Sequence, residues 1–428
     1  MVALKYSVLL IAGGKGTRSV DPSVPKSLHT IDSVPLIKHQ ISFLETVGCK
    51  KVTVIGNFGF DKLSGYLETL EISGIDVSLI AEERFGGTLG ALQHGKSQIT
   101  DSHVWVILGD LFFQNHLEVI ERALDPKSLD LLVVTHPNDH PFDSDLVAFD
   151  QFSDEVTDFY SKKDQTRKIN SGNSAIAGIY LINLSKLSTA PNQGDISGDL
   201  VPFALVSNWK VRNFTSVDYC KDSGTPKRIN AIESDYLNGV ITRRSMLEKR
   251  VCFLDLDDTL VANLEVKNAD SSIEINPEIA ILIRNFNLLG IPIIVVTNQP
   301  GIAKGFFSLM EWSAFRSRVD VILSNFGAFI DDWVVCPHHP EIGHKGEIAA
   351  YKVVCRCRKP KSGMFLGMEF KHSIDLTRSY MIGDSQVDRD SAMDVGVKFI
   401  HATCTTKPEV KLSTQEALEM VLNTYVNH

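Results

Sequence analysis

The sequence predicts an α/β fold made of two domains, each built around a mostly parallel sheet. Short β-branched apolar runs alternate with amphipathic stretches along the chain, as strands alternate with crossover helices. Two of the runs, YSVLLIAGGKGTR at the start and KRVCFLDLDDT from Lys249, end abruptly in polar residues. The length of 428 residues also fits two or three domains of about 150 residues each. Each run is therefore expected to be the first strand of a separate α/β unit.

The remaining elements follow in order along each unit. The first unit continues with the predicted strands KKVTVIGN, DVSLIAE, HVWVILGD and DLLVVTHP and the predicted helix PLIKHQISFLETVG. The second continues with IPIIVVTNQ, WVVCP, SYMIGDS and VKFIHA. Between them, IESDYLNGVITRRSMLEKR is expected to form one charged amphipathic helix, which predicts domains over 1–245 and 249–428. LSTQEALEMVLNTYV, within residues 404–428, is expected to form a terminal helix that packs on its own domain or on a partner.

Composition excludes several classes of protein. With 43% hydrophobic and 22% charged residues the chain is typical of globular proteins, and the net charge of -9 opposes binding to nucleic acids or anionic membranes. No apolar run approaches the ~20 residues of a spanning helix. The cysteines are odd in number, seven, and three of them lie close together, which favours a metal site in a reducing compartment over disulfides. We therefore expect a cytoplasmic protein with small-molecule substrates, which could also form a homo-oligomer.

A glycine-rich turn follows the first predicted strand. Gly13, Gly14 and Gly16 would let the backbone approach a phosphate closely, and Arg18 and Lys26 would supply cationic donors. Taken alone, such a turn is equally compatible with a strand-to-helix connection that binds nothing. Further motifs decide between the two interpretations.

The motifs GGKGTR, VPKSL, GGTLGAL, LGD and DSGTP, in that order, resemble the sugar-1-phosphate nucleotidyltransferase family over about the first 240 residues. The resemblance implies a Rossmann-like domain in which a sugar 1-phosphate attacks the α-phosphorus of an NTP and pyrophosphate leaves. It implies catalytic roles for Arg18 and Lys26 and a Mg²⁺ site at Asp110 and Asp222. The resemblance also implies that eight residues bind the substrate or the nucleotide: Gly13, Gly14, Gly16, Thr17, Gly87, Thr88, Lys162 and Gly178.

The sugar is not specified by these motifs. Family members often carry Glu-Lys-Pro where this chain has Ser161-Lys162-Lys163, and Asn-Ala-Gly where it has Ile176-Ala177-Gly178. Both segments belong to the sugar side of the pocket, so the first domain alone leaves its sugar open.

Paired carboxylates begin the second domain. Asp255 and Asp257 are two positions apart at the end of an apolar strand, so they point to the same side. One carboxylate can act as a nucleophile while the other transfers protons. Their repulsion requires a cation, for which Asp384 and Asp388 in GDSQVD are further ligands. The sequence therefore predicts a phosphate-ester site at this strand end.

The ordered set DLDDT, VVTN, RKP and GDSQVD resembles the haloacid dehalogenase phosphatase superfamily from residue 250 to about 403. The resemblance implies a Rossmann-like fold, an aspartyl-phosphate on Asp255 and Asp257 as acid and base. The other implied residues are Thr297 and Lys359 in catalysis, Asn298 and Arg358 in substrate binding, and Asp255, Asp257, Asp384 and Asp388 at Mg²⁺.

A narrower resemblance, to D,D-heptose 1,7-bisphosphate phosphatases, rests on TNQPGIAKG, CPHHP and CRCRKP. Cys336, His338, Cys355 and Cys357 offer zinc four soft ligands with no open position, which predicts a structural site on a zinc-bound loop. His339 is a possible substitute for His338, and three free thiols are the alternative to a metal site. Leu256, Asp258 and Ser385 replace the Arg, Gly and Lys that are common in the family, which leaves the sugar anomer open.

Together the resemblances imply a bifunctional enzyme. The phosphatase would release a heptose 1-phosphate, which the first domain would join to a nucleotide, GTP by analogy with the route that uses this transferase fold. Two alternatives stay open. One is a transferase for another sugar 1-phosphate fused to a histidinol-phosphate-type phosphatase, and the other is that one domain is catalytically inactive and only binds ligands.

Overall fold

The computed structural model describes residues 3–14, 21, 23–82, 86–164, 172–262, 266 and 273–402. The chain divides into two compact units. The first comprises Met1–His136, Phe142–Gln165 and Ser174–Ser245, and the body of the second begins at Met246. Gly16, Thr17, Arg18 and the C-terminal helix predicted within 404–428 lie outside the described residues. In the described part, no helix has the length and apolar character needed to cross a bilayer.

The first unit contains a nine-stranded sheet in the order β10-β9-β11-β6-β1-β4-β5, with β8 paired to β11 and to β12. Two small two-stranded pairs, β2-β3 and β7-β13, accompany it. The strands are β1 Val8–Ile11, β2 Thr30–Ile31, β3 Val34–Pro35, β4 Lys51–Gly56, β5 Asp76–Ala81, β6 His103–Leu108, β7 Leu111–Phe113, β8 Leu131–His136, β9 Leu146–Phe149, β10 Val156–Tyr160, β11 Ala175–Asn183, β12 Val211–Thr215 and β13 Cys220–Asp222.

This sheet is mixed, whereas the alternation of strands and helices predicted a mostly parallel one. Strands β1, β4, β5 and β6 are parallel, but β11 runs antiparallel to β6, β8 and β9. The nine-residue β11 is buried along nearly its whole length, and its pairings with β6, β8 and β9 place an antiparallel strand inside the sheet. The α/β class is confirmed, and the first strand is paired in parallel on both sides.

The helices of the first unit are α1 Leu36–Thr46, α2 Phe60–Glu68, α3 Gly87–Gly95, α4 Leu117–Ala123, α5 Val201–Val206, α6 Pro226–Leu237 and α7 Val240–Ser245. The single helix predicted for IESDYLNGVITRRSMLEKR is wrong. Two helices, α6 and α7, stand in its place, because Gly239 adopts a φ of 69° and ends the first of them. Thr225 caps the N-terminus of α6, and its side chain accepts a hydrogen bond from the Arg228 N–H.

The second unit contains a five-stranded parallel sheet in the order β18-β17-β14-β19-β20 and a small β15-β16 pair. Apolar side chains of the sheet pack against the flanking helices on both faces. The elements are β14 Cys252–Leu254, β15 Val261–Ala262, β16 Glu274–Ile275, α8 Pro277–Leu289, β17 Ile293–Asn298, α9 Pro300–Ala303, α10 Leu309–Ser324, β18 Asp332–Cys336, α11 Gly363–His372, β19 Tyr380–Gly383, α12 Gln386–Met393 and β20 Lys398–His401.

Both first strands occupy the same kind of position in their sheets. β1 lies between β4 and β6, and β14 lies between β17 and β19, so the chain continues on opposite sides of each strand. Such switch points leave a crevice at the carboxyl ends of parallel strands, where α/β proteins bind ligands. The polar residues that follow β1 and β14 are therefore placed at a crevice by the topology.

Candidate active sites

The second unit places Asp255 at the carboxyl end of its central strand. The Asp255 N–H donates to the Ile382 carbonyl at 2.9 Å, which fixes the residue beside β19. Its Oδ1 accepts a hydrogen bond from Lys359 Nζ at 2.6 Å, and Lys359 also donates to Asp388 and to the Val296 carbonyl. Burial raises the pKa of Asp255, and the Lys359 ammonium opposes that rise. One buried lysine thus joins the ends of β14, β17 and α12.

Asp257 faces a different partner. Its Oδ2 accepts a hydrogen bond from Gln299 Nε2 at 2.9 Å, and the same amide donates to Thr297 Oγ1 at 3.0 Å. Burial raises the pKa of Asp257 to about 6, and the Gln299 hydrogen bond works in the opposite direction. Its Oδ1 is buried with no partner among the described residues. A carboxyl group with a raised pKa and one free oxygen is suited to proton transfer.

Three carboxylates form a group that could hold a metal ion. Oxygens of Asp255, Asp384 and Asp388 all lie within 4.8 Å of one another. Ligands at about 2.1 Å from an octahedral Mg²⁺ are separated by roughly 3 to 4 Å, so these residues fit that ion. Asp257 was also predicted as a ligand. It is not a member of this group and instead accepts the hydrogen bond from Gln299, so its role as a ligand stays a prediction.

Other predicted residues of this site hold one another in place. Both polar atoms of the Asn298 side chain bind the backbone of Lys359, at 3.0 Å to its N–H and 3.1 Å to its carbonyl. Asn298 therefore positions Lys359, and its predicted role in substrate binding stays a prediction. Thr297 is buried at the end of β17, and Arg358 Nη1 donates to the His338 carbonyl at 3.3 Å. Gln299 was missed by the sequence analysis, although it directly follows the predicted Thr297 and Asn298.

The predicted zinc ligands come together as one cluster. Cys336 Sγ lies 3.6 Å from Cys355 Sγ and 3.3 Å from Cys357 Sγ, and His338 Nδ1 lies 3.2 Å from Cys357 Sγ. Tetrahedral zinc with Zn–S bonds of about 2.3 Å separates its sulfur ligands by roughly 3.8 Å, so the donor set fits zinc. Hydrogen bonds, first from Cys336, lower the pKa of Cys357 and favour the thiolate that a metal needs. His338 belongs to the cluster, and His339 does not.

The first unit places Gly13 and Gly14 directly after β1. A Cβ at Gly13 would lie 3.1 Å from Asn57 Cβ and 3.2 Å from Glu82 Oε2, whereas Gly14 faces open space. Asn57 also donates to the Glu82 carbonyl at 2.8 Å. Neither Asn57 nor Glu82 was singled out from the sequence. Asn57 directly follows β4 and Glu82 directly follows β5, at the same sheet edge as Gly13. These positions could have identified both residues as candidates for the site.

Lys26, Asp110 and Asp222 meet at this edge. Lys26 Nζ lies 2.8 Å from Asp110 Oδ2, and Ser223 donates through its N–H to the Asp110 carbonyl at 2.7 Å. The pairing of β13 with β7 sets Asp222 opposite Leu111, next to Asp110. Asp222 Oδ1 accepts a hydrogen bond from Arg228 Nη1 at 2.7 Å. The two predicted magnesium ligands are therefore neighbours, and each is paired with a cation.

Gly87 and Thr88 make contacts within the protein. A Cβ at Gly87, whose φ is 72°, would lie 2.3 Å from the Gly194 carbonyl oxygen, and Thr88 Oγ1 accepts from the Ile196 N–H at 2.8 Å. They hold the loop around Gly194 against the start of α3. Gly178, with a φ of 81°, packs against Leu108 and Leu111, and the exposed Lys162 Nζ lies 4.0 Å from Asp145 Oδ2.

The second unit thus combines paired aspartates, a buried lysine and an acidic metal group at the switch point of a parallel sheet. This combination defines a phosphatase of the haloacid dehalogenase class.

Residues 250–405 match the family described as polynucleotide kinase 3 phosphatase. The D-glycero-beta-D-manno-heptose-1,7-bisphosphate 7-phosphatase of Rhodopseudomonas palustris is 37% identical over 145 residues, 34% of this chain and 78% of the relative. The Escherichia coli protein of that name is 32% identical over 173 residues, 40% of this chain and 87% of the relative. Through its second half the chain belongs to the heptose-1,7-bisphosphate 7-phosphatase family.

The first unit contains a nucleotidyltransferase domain. Residues 8–174 match the family described as MobA-like NTP transferase domain. Among solved structures, HddC from Yersinia pseudotuberculosis superposes with a TM-score of 0.47 and 22% identity, covering 54% of this chain and 100% of that one. The predicted combination of a transferase and a phosphatase in one enzyme is confirmed by the two family matches.

Proposed function

We propose that the chain catalyses two consecutive steps toward a nucleotide-activated heptose. Residues 249–428 would remove the 7-phosphate of D-glycero-D-manno-heptose 1,7-bisphosphate, and residues 1–245 would join the resulting heptose 1-phosphate to an NTP, with GTP as the nucleotide. One observation carries the proposal: a member of the heptose bisphosphate phosphatase family is continuous with an NTP transferase domain. The product of the first activity is a sugar 1-phosphate, the substrate class that the second consumes.

In the phosphatase, Asp255 is the nucleophile. Its carboxylate attacks the phosphorus of the 7-phosphate, the bond from phosphorus to the sugar oxygen breaks, and Asp257 gives its proton to that oxygen. Water then attacks the aspartyl-phosphate, Asp257 takes the proton, and inorganic phosphate leaves with Asp255 restored. The raised pKa of Asp257 supports this role, because the group must be protonated at the start. Lys359 offsets the negative charge of the transferred phosphoryl group.

Metal ions would assist both units. Asp255, Asp384 and Asp388 would hold Mg²⁺, which neutralises charge on the phosphoryl group, and Asp110 and Asp222 would hold Mg²⁺ in the transferase. Cys336, His338, Cys355 and Cys357 would hold structural zinc. The six described cysteines form no disulfide with one another, which fits the cytoplasm as the proposed location.

In the transferase, backbone N–H groups after β1 would bind the phosphates of the NTP. Lys26 Nζ lies at the sheet edge beside Asp110 and 3.7 Å from where a Gly224 Cβ would be, so it can reach a ligand bound between β1 and β13. The sugar phosphate oxygen attacks the α-phosphorus and the bond to pyrophosphate breaks. Positioning and positive charge supply most of the catalysis in such a reaction.

Mass spectrometry of the reaction products tests the whole scheme. The full chain is incubated with Mg²⁺, heptose 1,7-bisphosphate in either anomeric form, and each of the four NTPs in turn. We expect inorganic phosphate, pyrophosphate and a GDP-heptose. Both anomers are needed because the names of the relatives specify the β form, whereas the sequence leaves the anomer open.

The Asp255→Asn variant separates the two activities. It should release no phosphate from the bisphosphate, yet convert added heptose 1-phosphate and GTP to the nucleotide sugar at the wild-type rate. Loss of both activities would contradict independent sites. Nucleotide binding without pyrophosphate release from any heptose 1-phosphate would instead identify the first unit as a binding module.

A further inference from the structure

Arg228 contacts one of the two carboxylates proposed to hold magnesium in the first unit. Its Nη1 donates to Asp222 Oδ1 at 2.7 Å, so the two side chains form an ion pair. The backbone of the arginine is fixed by Thr225, whose hydroxyl and carbonyl oxygens accept from the Arg228 N–H at 3.3 Å and 3.0 Å. The guanidinium therefore extends from the first turn of a capped helix, α6, to the end of β13.

The two oxygens of the Asp222 carboxylate have different surroundings. Oδ1 accepts a second hydrogen bond, from the Gly224 N–H at 3.1 Å, whereas Oδ2 accepts none from the residues that the structure describes. A Cβ at Gly224 would lie 3.0 Å from Asp222 Oδ1 and 3.7 Å from Lys26 Nζ, so the glycine leaves room for both groups. Two donors on one oxygen fix the rotation of a carboxylate and leave its other oxygen for a further ligand.

The backbone next to Asp222 is fixed against the other proposed metal ligand. Ser223 is buried, and it donates to the Asp110 carbonyl through its N–H at 2.7 Å and through its hydroxyl at 2.9 Å. These bonds hold the two strand ends together, but they do not set the rotation of a carboxylate group. At Asp222, that rotation is controlled by a side chain, Arg228.

Stability does not account for this ion pair. The side chains of Arg228 and Asp222 are 38% and 37% exposed, and pairs that are open to solvent in this way add little to the free energy of folding. Residues that orient a metal ligand have a larger effect, since their loss typically lowers metal affinity about 10- to 100-fold. The pair is therefore better explained by the orientation of Asp222 than by the stability of the fold.

We infer that Arg228 is a positioning residue of the transferase, which holds Asp222 Oδ1 and thereby presents Oδ2 to Mg²⁺. The inference rests on the proposed function of the first unit, in which Asp110 and Asp222 bind the metal. A charge effect alone would have the opposite sign, because a guanidinium group beside the site repels a divalent cation. Removal of Arg228 separates the two effects: loss of orientation weakens metal binding, whereas loss of positive charge strengthens it.

Mn²⁺ binding tests the inference without depending on turnover. Every sample is the full chain with Asp384→Asn, so that the carboxylate group of the second unit contributes less, and electron paramagnetic resonance measures the free ion. Arg228→Met should raise the dissociation constant roughly tenfold. Arg228→Lys, which keeps one charged donor, should recover part of the affinity. Lys227→Gln, which removes an exposed charge from the preceding residue, is the matched control and should bind Mn²⁺ as the parent protein does.

Pyrophosphate release from GTP and heptose 1-phosphate gives a second readout. Arg228→Met should raise the Mg²⁺ concentration at half-maximal rate roughly tenfold, and kcat at saturating Mg²⁺ should stay within about threefold of wild type. Unchanged or tighter Mn²⁺ binding in Arg228→Met would overturn the positioning role. Asp222→Asn is the reference for the site itself and should weaken Mn²⁺ binding at least as much. An unchanged affinity in that variant would contradict the proposed metal site of the transferase instead.

Discussion

Lys359 Nζ lies 2.6 Å from Asp255 Oδ1, and the two side chains are only 3% and 8% exposed. The same ammonium group binds Asp388, whose side chain is 1% exposed. A buried cation between two buried carboxylates stabilises both, and its loss leaves charges without compensation. This one contact therefore links the stability of the second unit to the reactivity of its nucleophile.

Lys359→Met should abolish phosphatase activity, with kcat at least about a thousandfold lower, because the cation next to the nucleophile is lost. It should also lower the free energy of unfolding of the second unit by about 3 to 5 kcal/mol in the absence of Mg²⁺, since Asp255 and Asp388 stay buried. Phosphate release and chemical denaturation of the full chain measure the two effects. Lys398→Gln is the matched control. A Lys359→Met variant with normal turnover would refute the assigned role.

Gln299 positions Asp257, and its removal should be visible in a pH profile. The Gln299 hydrogen bond lowers the pKa of Asp257 against the larger effect of burial, so Gln299→Leu should raise that pKa. As a general acid, Asp257 must be protonated, and kcat/KM falls as pH rises through its pKa. The basic limb of the profile for a sugar phosphate should therefore move to higher pH in the variant. A lower rate with an unmoved limb would indicate a purely structural role for Gln299.

Each chain should bind one zinc ion, and the phosphatase activity should depend on it whereas the transferase activity should not. Cys357 lies 3.3 Å from Cys336 Sγ and 3.2 Å from Cys355 Sγ, and Arg358 and Lys359 follow it directly. Cys357→Ser should release the metal and lower phosphatase kcat/KM at least about tenfold, because the ligand set also fixes these two cations. Native mass spectrometry and elemental analysis measure the metal. Cys49→Ser, at a buried thiol of the first unit, should retain it. Full activity after metal loss would contradict the coupling.

The sequence predicted those features that depend on strand ends. An apolar run that stops at a polar residue is a local signal, and parallel strands bring such ends together. The placement of Asp255, Thr297 and Asp384 at the ends of neighbouring strands was therefore predictable. The clustering of Cys336, His338, Cys355 and Cys357 was predicted because paired Cys and His spacing is itself the signal.

The features that the sequence did not reveal depend on long-range packing. The partner of Asp257 is an amide, Gln299, and nothing in its local pattern distinguishes it from a capping residue. The Thr88 hydroxyl accepts a hydrogen bond from the N–H of Ile196, 108 positions away, a contact that no local pattern reveals. The antiparallel insertion of β11 follows from pairings with β6 and β8 that no local window contains.

His116 fixes the last residue of α7 and should give the first unit a pH-dependent stability. Its Nδ1 lies 2.8 Å from Glu118 Oε1 and its Nε2 lies 2.5 Å from the Ser245 carbonyl. Acceptors on both nitrogens can be satisfied together only by the doubly protonated ring. Burial opposes that charge, but Glu118 and Asp218 outweigh it and raise the pKa of His116.

A raised pKa in the folded state means that folding takes up a proton. The stabilisation is therefore fully present below the ordinary histidine pKa of about 6.5 and is lost as pH rises through the higher pKa of the folded protein. His116→Gln should unfold more readily than wild type at pH 6, and the difference should shrink toward pH 9. Thermal unfolding of the full chain across this pH range measures the difference in stability.

His140→Gln, which removes an exposed histidine beside Asp139, is the control and should show no such trend. A His116→Gln deficit that is constant with pH would mean that the ring acts by packing alone.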